Sequence, residues 1–236
     1  MSDAGDRLAR VDESEVLELP LYSVTEAGRL LGLAPVTLRR WLEGYSARGT
    51  PHPPIIRPER TGSDSVTWGE FVEAGWLREY RTRMPLQKLR PLVDRMRERF
   101  QVKNPLAHFQ PFVDLSSKEA VDRIQSETDL PEELYLVRWV DDQLQWSAAV
   151  EGFLDKVEFD PLDDVARRMY PLGREVPVAI DPERSFGVPQ VRGIRTELIV
   201  ELLDGGESLQ TVARMWGMDA QEVEAARTWE RSLRAA

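Results

Sequence analysis

The 236-residue chain contains no cysteine. That excludes disulfides, thiolate metal sites and a cysteine nucleophile, and it suits a reducing compartment. Histidine is nearly absent as well: His52 and His108 are the only two, too few for a His-rich metal centre. Lysine is confined to Lys88, Lys103, Lys118 and Lys156, so arginine carries nearly all the basic charge. No apolar run is long enough to cross a membrane, and the opening MSDAGDRLARVDESEVLELP lacks the apolar stretch of a signal peptide. A soluble cytoplasmic protein is the expectation. A phosphate-binding loop is missing too. The glycines of FGVPQVRGIRTELIVELL (186–203) lie too far apart for a dinucleotide turn, and no lysine follows to hold a phosphate. No cofactor is expected.

What the chain does have is packing material, with 42% apolar and 8% aromatic residues, and a very uneven charge. The net charge is −10, yet residues 20–103 carry +6, the first 19 residues −4 and residues 104–236 −12. A basic segment raises local affinity for phosphate, while an acidic remainder limits unspecific adhesion.

The strongest local pattern is LYSVTEAGRLLGLAPVTLRRWLEGY. Ser23 and Glu26 form an S-x-x-E capping box, and Val24, Ala27, Leu30 and Leu31 recur at helical spacing. Gly32 supplies a stop, and Pro35 suits the first turn of a second helix. That helix buries Leu38, Trp41 and Leu42 and turns Val36, Thr37, Arg39 and Arg40 away from the core. Two short helices about a glycine turn predict a helix-turn-helix, with a plain helical hairpin as the competing reading. The following PHPPIIRPERTGSDSVTWGEFVEAGW predicts a wing: an extended Pro-rich piece, a Gly-Ser-Asp turn and a short strand near 65–67, with Arg57 and Arg60 available to phosphate. Two further helices follow, broken near Met84-Pro85, with one apolar stripe of Phe71, Val72, Trp76 and Leu77 and another of Leu86, Leu89, Leu92, Val93 and Met96. Arg78, Arg81, Arg83, Lys88, Arg90, Arg95, Arg97 and Arg99 gather beside the stripes as an expected phosphate-facing side.

Residues 21–100 resemble the winged DNA-binding domain of the MerR type through Tyr22, Ser23, Val24, Glu26, Ala27, Leu31, Gly32, Thr37, Leu38, Arg39 and Trp41. One departure is Ala34, where a capping serine is common; losing that cap costs on the order of 1 kcal/mol. The residues this assignment directs at DNA are Thr25, Pro35, Val36, Thr37, Arg39 and Arg40, with Arg57 and Arg60 on the wing.

From about Asn104 the texture changes. AHFQPFVDLS, ELYLVRWVDDQLQWS, DKVEFD, ARRMYPL and EVPVAIDP are short, rich in valine and aromatics, and bounded by Asp, Pro and Gly, which predicts a small antiparallel sheet with little helix. Asp141-Asp142 reads as a hairpin turn, and 148–155 as a turn or two of helix. Asp160, Asp163 and Asp164 lie close together, but a loop of Asp and Pro reads first as a solvated turn, and no nucleophile motif surrounds either histidine. Neither catalysis nor a metal site is expected. Trp139, Trp146 and Phe153 could line a pocket for a sensed small molecule, or simply form core.

The hinge DPERSFGVPQVRG leads to three short helices. The first starts at Thr196 and buries Leu198, Ile199, Leu202 and Leu203 before Gly205-Gly206. The second is capped by Ser208, turns Leu209, Val212, Ala213 and Trp216 inward, and ends at Gly217; the third starts from Asp219 with Glu222 as box partner and turns Val223, Ala226 and Trp229 inward. Residues 190–236 carry −2, so a structural bundle for protein contact is favoured over a second DNA contact. The segment resembles VapB-like antitoxins at Asp181, Pro182, Gly187, Pro189, Val191, Gly193, Leu203, Gly206, Ser208, Val212, Ala213, Gly217, Val223 and Ala226, departing at GIRT (193–196).

The expected fold class is α+β: an acidic flexible stretch (1–19), a MerR-like winged helix-turn-helix (20–103), a small β-rich central domain (104–180) and a trihelical, homeodomain-like antitoxin domain (181–236). The resemblance implies an antitoxin without enzymatic activity. Its implied partners are operator DNA and a PIN-type ribonuclease toxin encoded next door, in a homodimer or a toxin–antitoxin hetero-oligomer. The alternative is a stand-alone MerR-like regulator whose central domain senses a ligand.

Overall fold

A computed structural model describes residues 15–81, 86–108, 115–128, 130–132, 135–160 and 164–235. It is a mixed assembly of helices and five two-stranded antiparallel sheets. The Met84-Pro85 break, Arg83 and Asp163 lie outside the described residues.

The first surprise is at the start. Residues 1–14 are outside the description, but α1 (Glu15–Glu18) buries Val16 and Leu17, and Glu18 pairs with Lys103 at 2.6 Å. Residues 15–18 therefore pack as part of the fold, and the expected flexible stretch does not extend to residue 19.

β1 (Pro20–Ser23) leads directly into α2 (Val24–Leu30). The capping box forms as read: the Glu26 N–H donates to Ser23 Oγ at 3.2 Å, and the Ser23 N–H donates to Glu26 Oε2 at 2.9 Å. α3 (Pro35–Glu43) begins on Pro35 with no side-chain cap at Ala34. Its buried residues are Leu38, Trp41 and Leu42. A hairpin of β2 (Tyr45–Ala47) and β3 (Thr50–His52) follows at once, turning on Arg48-Gly49. Gly44 makes this possible: a Cβ there would lie 2.4 Å from the His52 carbonyl oxygen, and its φ is +68°.

The wing was expected across the Pro-rich piece and the strand near 65–67. β4 (Ser65–Thr67) does form, but it pairs with β1 across the foot of the unit. The projecting hairpin is 45–52 instead. Proline at position 51 is tolerated because β3 belongs to a two-stranded hairpin with a free edge.

α4 (Trp68–Arg81) is the central column, burying Trp68, Phe71, Val72, Trp76, Leu77 and Tyr80; Trp76 and Tyr80 stack at 4.3 Å. α5 (Leu86–Phe100) adds Leu89, Leu92, Val93 and Met96, matching the predicted stripes.

The middle departs from its expectation. α6 (Leu115–Glu127) is an unexpected helix that buries Val121 and Ile124, while α7 (Ala148–Leu154) forms where a turn or two of helix is read from the sequence. The strands form two separate hairpins, β5 (Val137–Val140) with β6 (Gln143–Trp146), and β7 (Val157–Phe159) with β8 (Ala166–Met169). The Asp141-Asp142 turn has positive φ at both residues, as a tight two-residue hairpin turn requires. EVPVAIDP forms no strand; Ala179 and Ile180 make single bridges to Gln190 and Met169.

A last hairpin, β9 (Gln190–Val191) with β10 (Ile194–Arg195), precedes α8 (Thr196–Asp204), α9 (Leu209–Trp216) and α10 (Ala220–Ala235). The Thr211 N–H donates to Ser208 Oγ at 3.1 Å, Gly217 is left-handed, and the N–H groups of Gln221 and Glu222 donate to Asp219 Oδ1.

The buried apolar residues form one cluster from Val16 to Leu233. Two long-range bonds stitch it. The Trp68 indole N–H donates to the Ala166 carbonyl at 2.6 Å, and the Tyr22 hydroxyl donates to the Gly187 carbonyl at 2.7 Å. Only glycine fits at 187, where an added Cβ would sit 2.2 Å from Tyr22 Oη. The hinge is thus docked against the first helical unit.

Candidate nucleic-acid interface

α3 has two faces. Leu38, Trp41 and Leu42 hold it to the core, while Val36 (57% exposed), Arg39 and Arg40 face water and Thr37 is half-buried. Thr25, at the start of α2, and Pro35 are exposed beside them. Of the six helix-borne residues read from the sequence, all but the half-buried Thr37 are therefore exposed.

Two arginines on this face are held in place. Arg39 pairs with Asp64, on the loop before β4. The Arg40 guanidinium lies 5.4 Å from the Tyr45 ring centroid, and Tyr45 stacks on His52 at 4.5 Å. The hairpin that follows α3 thus braces one of its arginines by cation–π contact. Arg48 at the hairpin tip is exposed with φ +50°. It was not among the predicted residues, although a lone Arg-Gly between two short polar runs was the available signal.

More basic side chains flank the helix. Arg78 and Arg81 line a cleft with Gly32, Ala34 and Thr37, and Arg81 lies 5.8 Å from the Trp41 ring. Arg90 lines a second cleft, of ≈ 270 Å³, with Thr37, Arg40 and Tyr45. Arg60 is exposed.

Arg57 does not belong to this surface. It is 3% exposed, donating from Nε to Glu70 Oε1 at 2.7 Å and from Nη2 to Glu70 Oε2 at 3.1 Å and to the Ser65 carbonyl at 2.7 Å. Nη1 donates to Glu43, to Thr61 Oγ1 and to the Ser63 carbonyl. The predicted phosphate contact is therefore corrected: Arg57 is the internal clamp that ties α3, α4 and the 57–65 loop together. Burial works against its charge, but hydrogen bonds and charge from Glu70 and Glu43 outweigh it and raise the guanidinium above its ordinary value. Burial likewise opposes ionisation of Glu43, yet the Gly62 N–H, the Thr61 hydroxyl and Arg57 hold its carboxyl below the usual range.

Arg97 is also structural. Its side chain is 10% exposed and donates to the carbonyls of Lys103, Ile55 and Ile56, with Glu73 and Asp94 as ion partners. Glu73 is fully buried; burial pushes its carboxyl up to about 7, against the opposing pull of Arg97, Asn104 and the Leu106 N–H.

Elsewhere the chemistry is sparse. Asp160 pairs with Arg167, and among the described residues no group of three or more His, Asp or Glu is placed to hold a metal. Trp139 is exposed and Phe153 is core, so the aromatics considered for ligand sensing do not converge on one cavity. Among the described residues, no helix is long and apolar enough to cross a membrane.

Likeness to known proteins includes the exposed helix and extends over most of the chain. Residues 20–93 match the protein family described as "Putative DNA-binding HTH domain". Over 236 residues the chain is 29% identical to "Uncharacterized protein Rv2308" of Mycobacterium tuberculosis, covering 97% of each. It is 27% identical over 224 residues to "Putative antitoxin VapB45" of the same organism, covering 87% of this chain and 92% of that one. The crystal structure of Rv2018 from M. tuberculosis superimposes with a TM-score of 0.72 at 26% identity, covering 88% of this chain and 97% of the other. The class of module this defines is a helix-turn-helix over residues 20–93, similar there to a family described as DNA-binding. More particularly, the chain is similar along most of its length to a relative described as a putative antitoxin of the VapB kind.

Proposed function

We propose that the chain is the antitoxin and autorepressor of a type II toxin–antitoxin pair. The observation that carries this reading is the basic, exposed face of α3 in a chain that aligns over most of its length with an antitoxin. Thr25, Pro35, Val36, Thr37, Arg39 and Arg40 meet the major groove of the operator, and the 45–52 hairpin with Arg48, together with Arg60, reaches flanking phosphate. This is the wing of a MerR-like unit, moved earlier in the chain than the sequence indicated. Phosphate contacts give affinity and position, and the helix residues give sequence preference. A dimer on paired half-sites, about one helical turn apart, is the natural binding form.

The acidic remainder grips the toxin, a PIN-type ribonuclease whose RNA-binding surface is basic. Its −12 charge suits such a partner. The exposed Trp139, Phe186, Met215 and Trp216 supply the aromatic and Met anchors common in protein interfaces. The trihelical end takes part here as a homeodomain-like scaffold, not as a second DNA reader. The chain itself carries out no catalysis.

The test is co-expression with the product of the adjacent gene. A stable complex that silences the partner's ribonuclease, and a footprint of the free chain on its own promoter, are the expected results. A chain that footprints its promoter but neither binds nor inhibits that product belongs to a stand-alone regulator.

A further inference from the structure

The acidic half of the molecule contains a cleft lined by arginine. Arg168 from β8, Arg174 and Arg184 from the loops that follow it, and Arg192 from the β9–β10 turn line an open cavity of ≈ 570 Å³ together with Tyr170 and Gln190. In a segment of net charge −12, that convergence runs against its surroundings.

Carboxylates only partly answer these cations. Buried Asp181 accepts from Arg168 at 3.0 Å and lies 3.7 Å from Arg184. Glu158 accepts from Arg168 at 3.2 Å, and Glu222 lies 3.5 Å from Arg192. Arg174 donates to the main-chain carbonyls of Leu154, Asp155 and Val157. Four guanidinium groups thus face three carboxylates. Arg192 also donates from Nη1 to the Gly217 carbonyl at 2.6 Å, but the side chains of Arg184 and Arg192 are 68% and 57% exposed, and each keeps guanidinium donors open to the cleft.

Gln190 supplies the second observation. It is 4% exposed and its main chain is bonded both ways to Ala179, yet its side-chain Oε1 is buried without a hydrogen-bond partner. A buried polar atom left unpaired calls for a ligand, a water or a functional reason.

We propose that this cleft binds a phosphate ester of nucleotide size, with Arg184 and Arg192 on the phosphate, Arg174 adding positive potential, and an N–H of the ligand bonded to Gln190. The planar guanidinium fork matches phosphate oxygens in pairs. The volume falls in the range of small-molecule sites, roughly 300–1,000 Å³. A bare phosphate leaves Gln190 unpaired, because it brings no donor suited to that position, whereas the amino or imino edge of a nucleobase satisfies it. A free nucleotide and a nucleic-acid strand present the same chemistry. The inference is independent of operator reading by α3, and its failure leaves that reading intact.

Calorimetry on the full chain tests it, with AMP, GMP, pyrophosphate, a short single-stranded DNA and a glutamate-rich peptide as probes. The Arg184→Ala/Arg192→Ala double variant changes exposed positions, and unchanged thermal unfolding and operator binding verify its fold. The expected result is saturable binding of a monophosphate that the double variant weakens about tenfold or more. Gln190→Leu is expected to weaken the monophosphates while sparing pyrophosphate. DNA-strand binding lost in the double variant, without free-nucleotide binding, assigns the same chemistry to a nucleic-acid source. The proposal is overturned if no phosphate probe saturates at millimolar concentration, if the double variant binds every probe like the parent, or if the acidic peptide binds more tightly than any phosphate.

Discussion

The molecule contains two helix–glycine–helix units built to nearly the same local plan. α2 and α3 turn about Gly32; α9 and α10 turn about Gly217. Each opens on a side-chain cap, Ser23 in one and Ser208 in the other, and each packs apolar residues inward, although Trp216, read from the sequence as inward-facing, is 40% exposed at the end of α9. The difference lies in what the second helix shows to water. α3 presents Val36, Arg39 and Arg40, whereas α10 opens on Asp219, Gln221 and Glu222, with Glu224 one turn on. Backbone geometry alone does not make a DNA reader. A phosphate surface is expected to favour the first arrangement over the acidic opening of the second, whose arginines Arg227, Arg231 and Arg234 come only later along the helix.

The largest way to break the comparison is to remove the clamp beneath α3. Arg57→Ala leaves Glu43 and Glu70 facing each other with no cation, and truncating one partner of a buried ion pair costs about 3–5 kcal/mol. Chemical denaturation measures this; a loss well under about 1 kcal/mol contradicts the clamp. Next comes the recognition face. Arg39→Ala and Arg40→Ala each remove about 1–3 kcal/mol of operator affinity and reduce its salt dependence, with little change in unfolding because both side chains are exposed.

Glu73, in α4 rather than in either unit, makes the stability of the fold pH-sensitive. Its carboxyl titrates near 7 when folded and near 4.5 when unfolded, because burial disfavours the charge. The folded state therefore holds a proton that the unfolded chain releases. Stability from this group is complete below about pH 4.5 and falls as pH rises toward about 7, then levels off. Glu73→Gln is expected to flatten that slope in unfolding midpoints measured across pH 5–8; an unchanged slope means the carboxyl is not the source. Smallest is the cap of the second unit. Ser208→Ala costs about 1 kcal/mol of stability and leaves operator affinity where it was.

Local structure was largely legible. Ser23 with Glu26, Pro35, Asp141-Asp142, Ser208 and Asp219 with Glu222 all act within a few residues of themselves, so spacing alone indicates them. What escaped depends on distant partners. Arg57 read as a wing cation because its acceptors Glu43 and Glu70 lie more than a dozen residues away on different helices. β4 read as a wing strand because its true partner, β1, precedes the whole helix-turn-helix. α6 escaped because its inner face offers only Val121 and Ile124 as large buried apolar residues, with Gln125 completing it through bonds to the main chain of Leu136 and Val137. The bond from Tyr22 to Gly187, 165 positions apart, has no sequence signature at all.

The most direct measurement is operator binding across salt concentration for three proteins: the parent chain, Arg39→Ala/Arg40→Ala, and Gln221→Ala/Arg227→Ala in α10. The first pair is expected to weaken binding and flatten its salt slope, and the second pair to bind like the parent. Full binding by the α3 variant, or loss of binding in the α10 variant, contradicts that expectation.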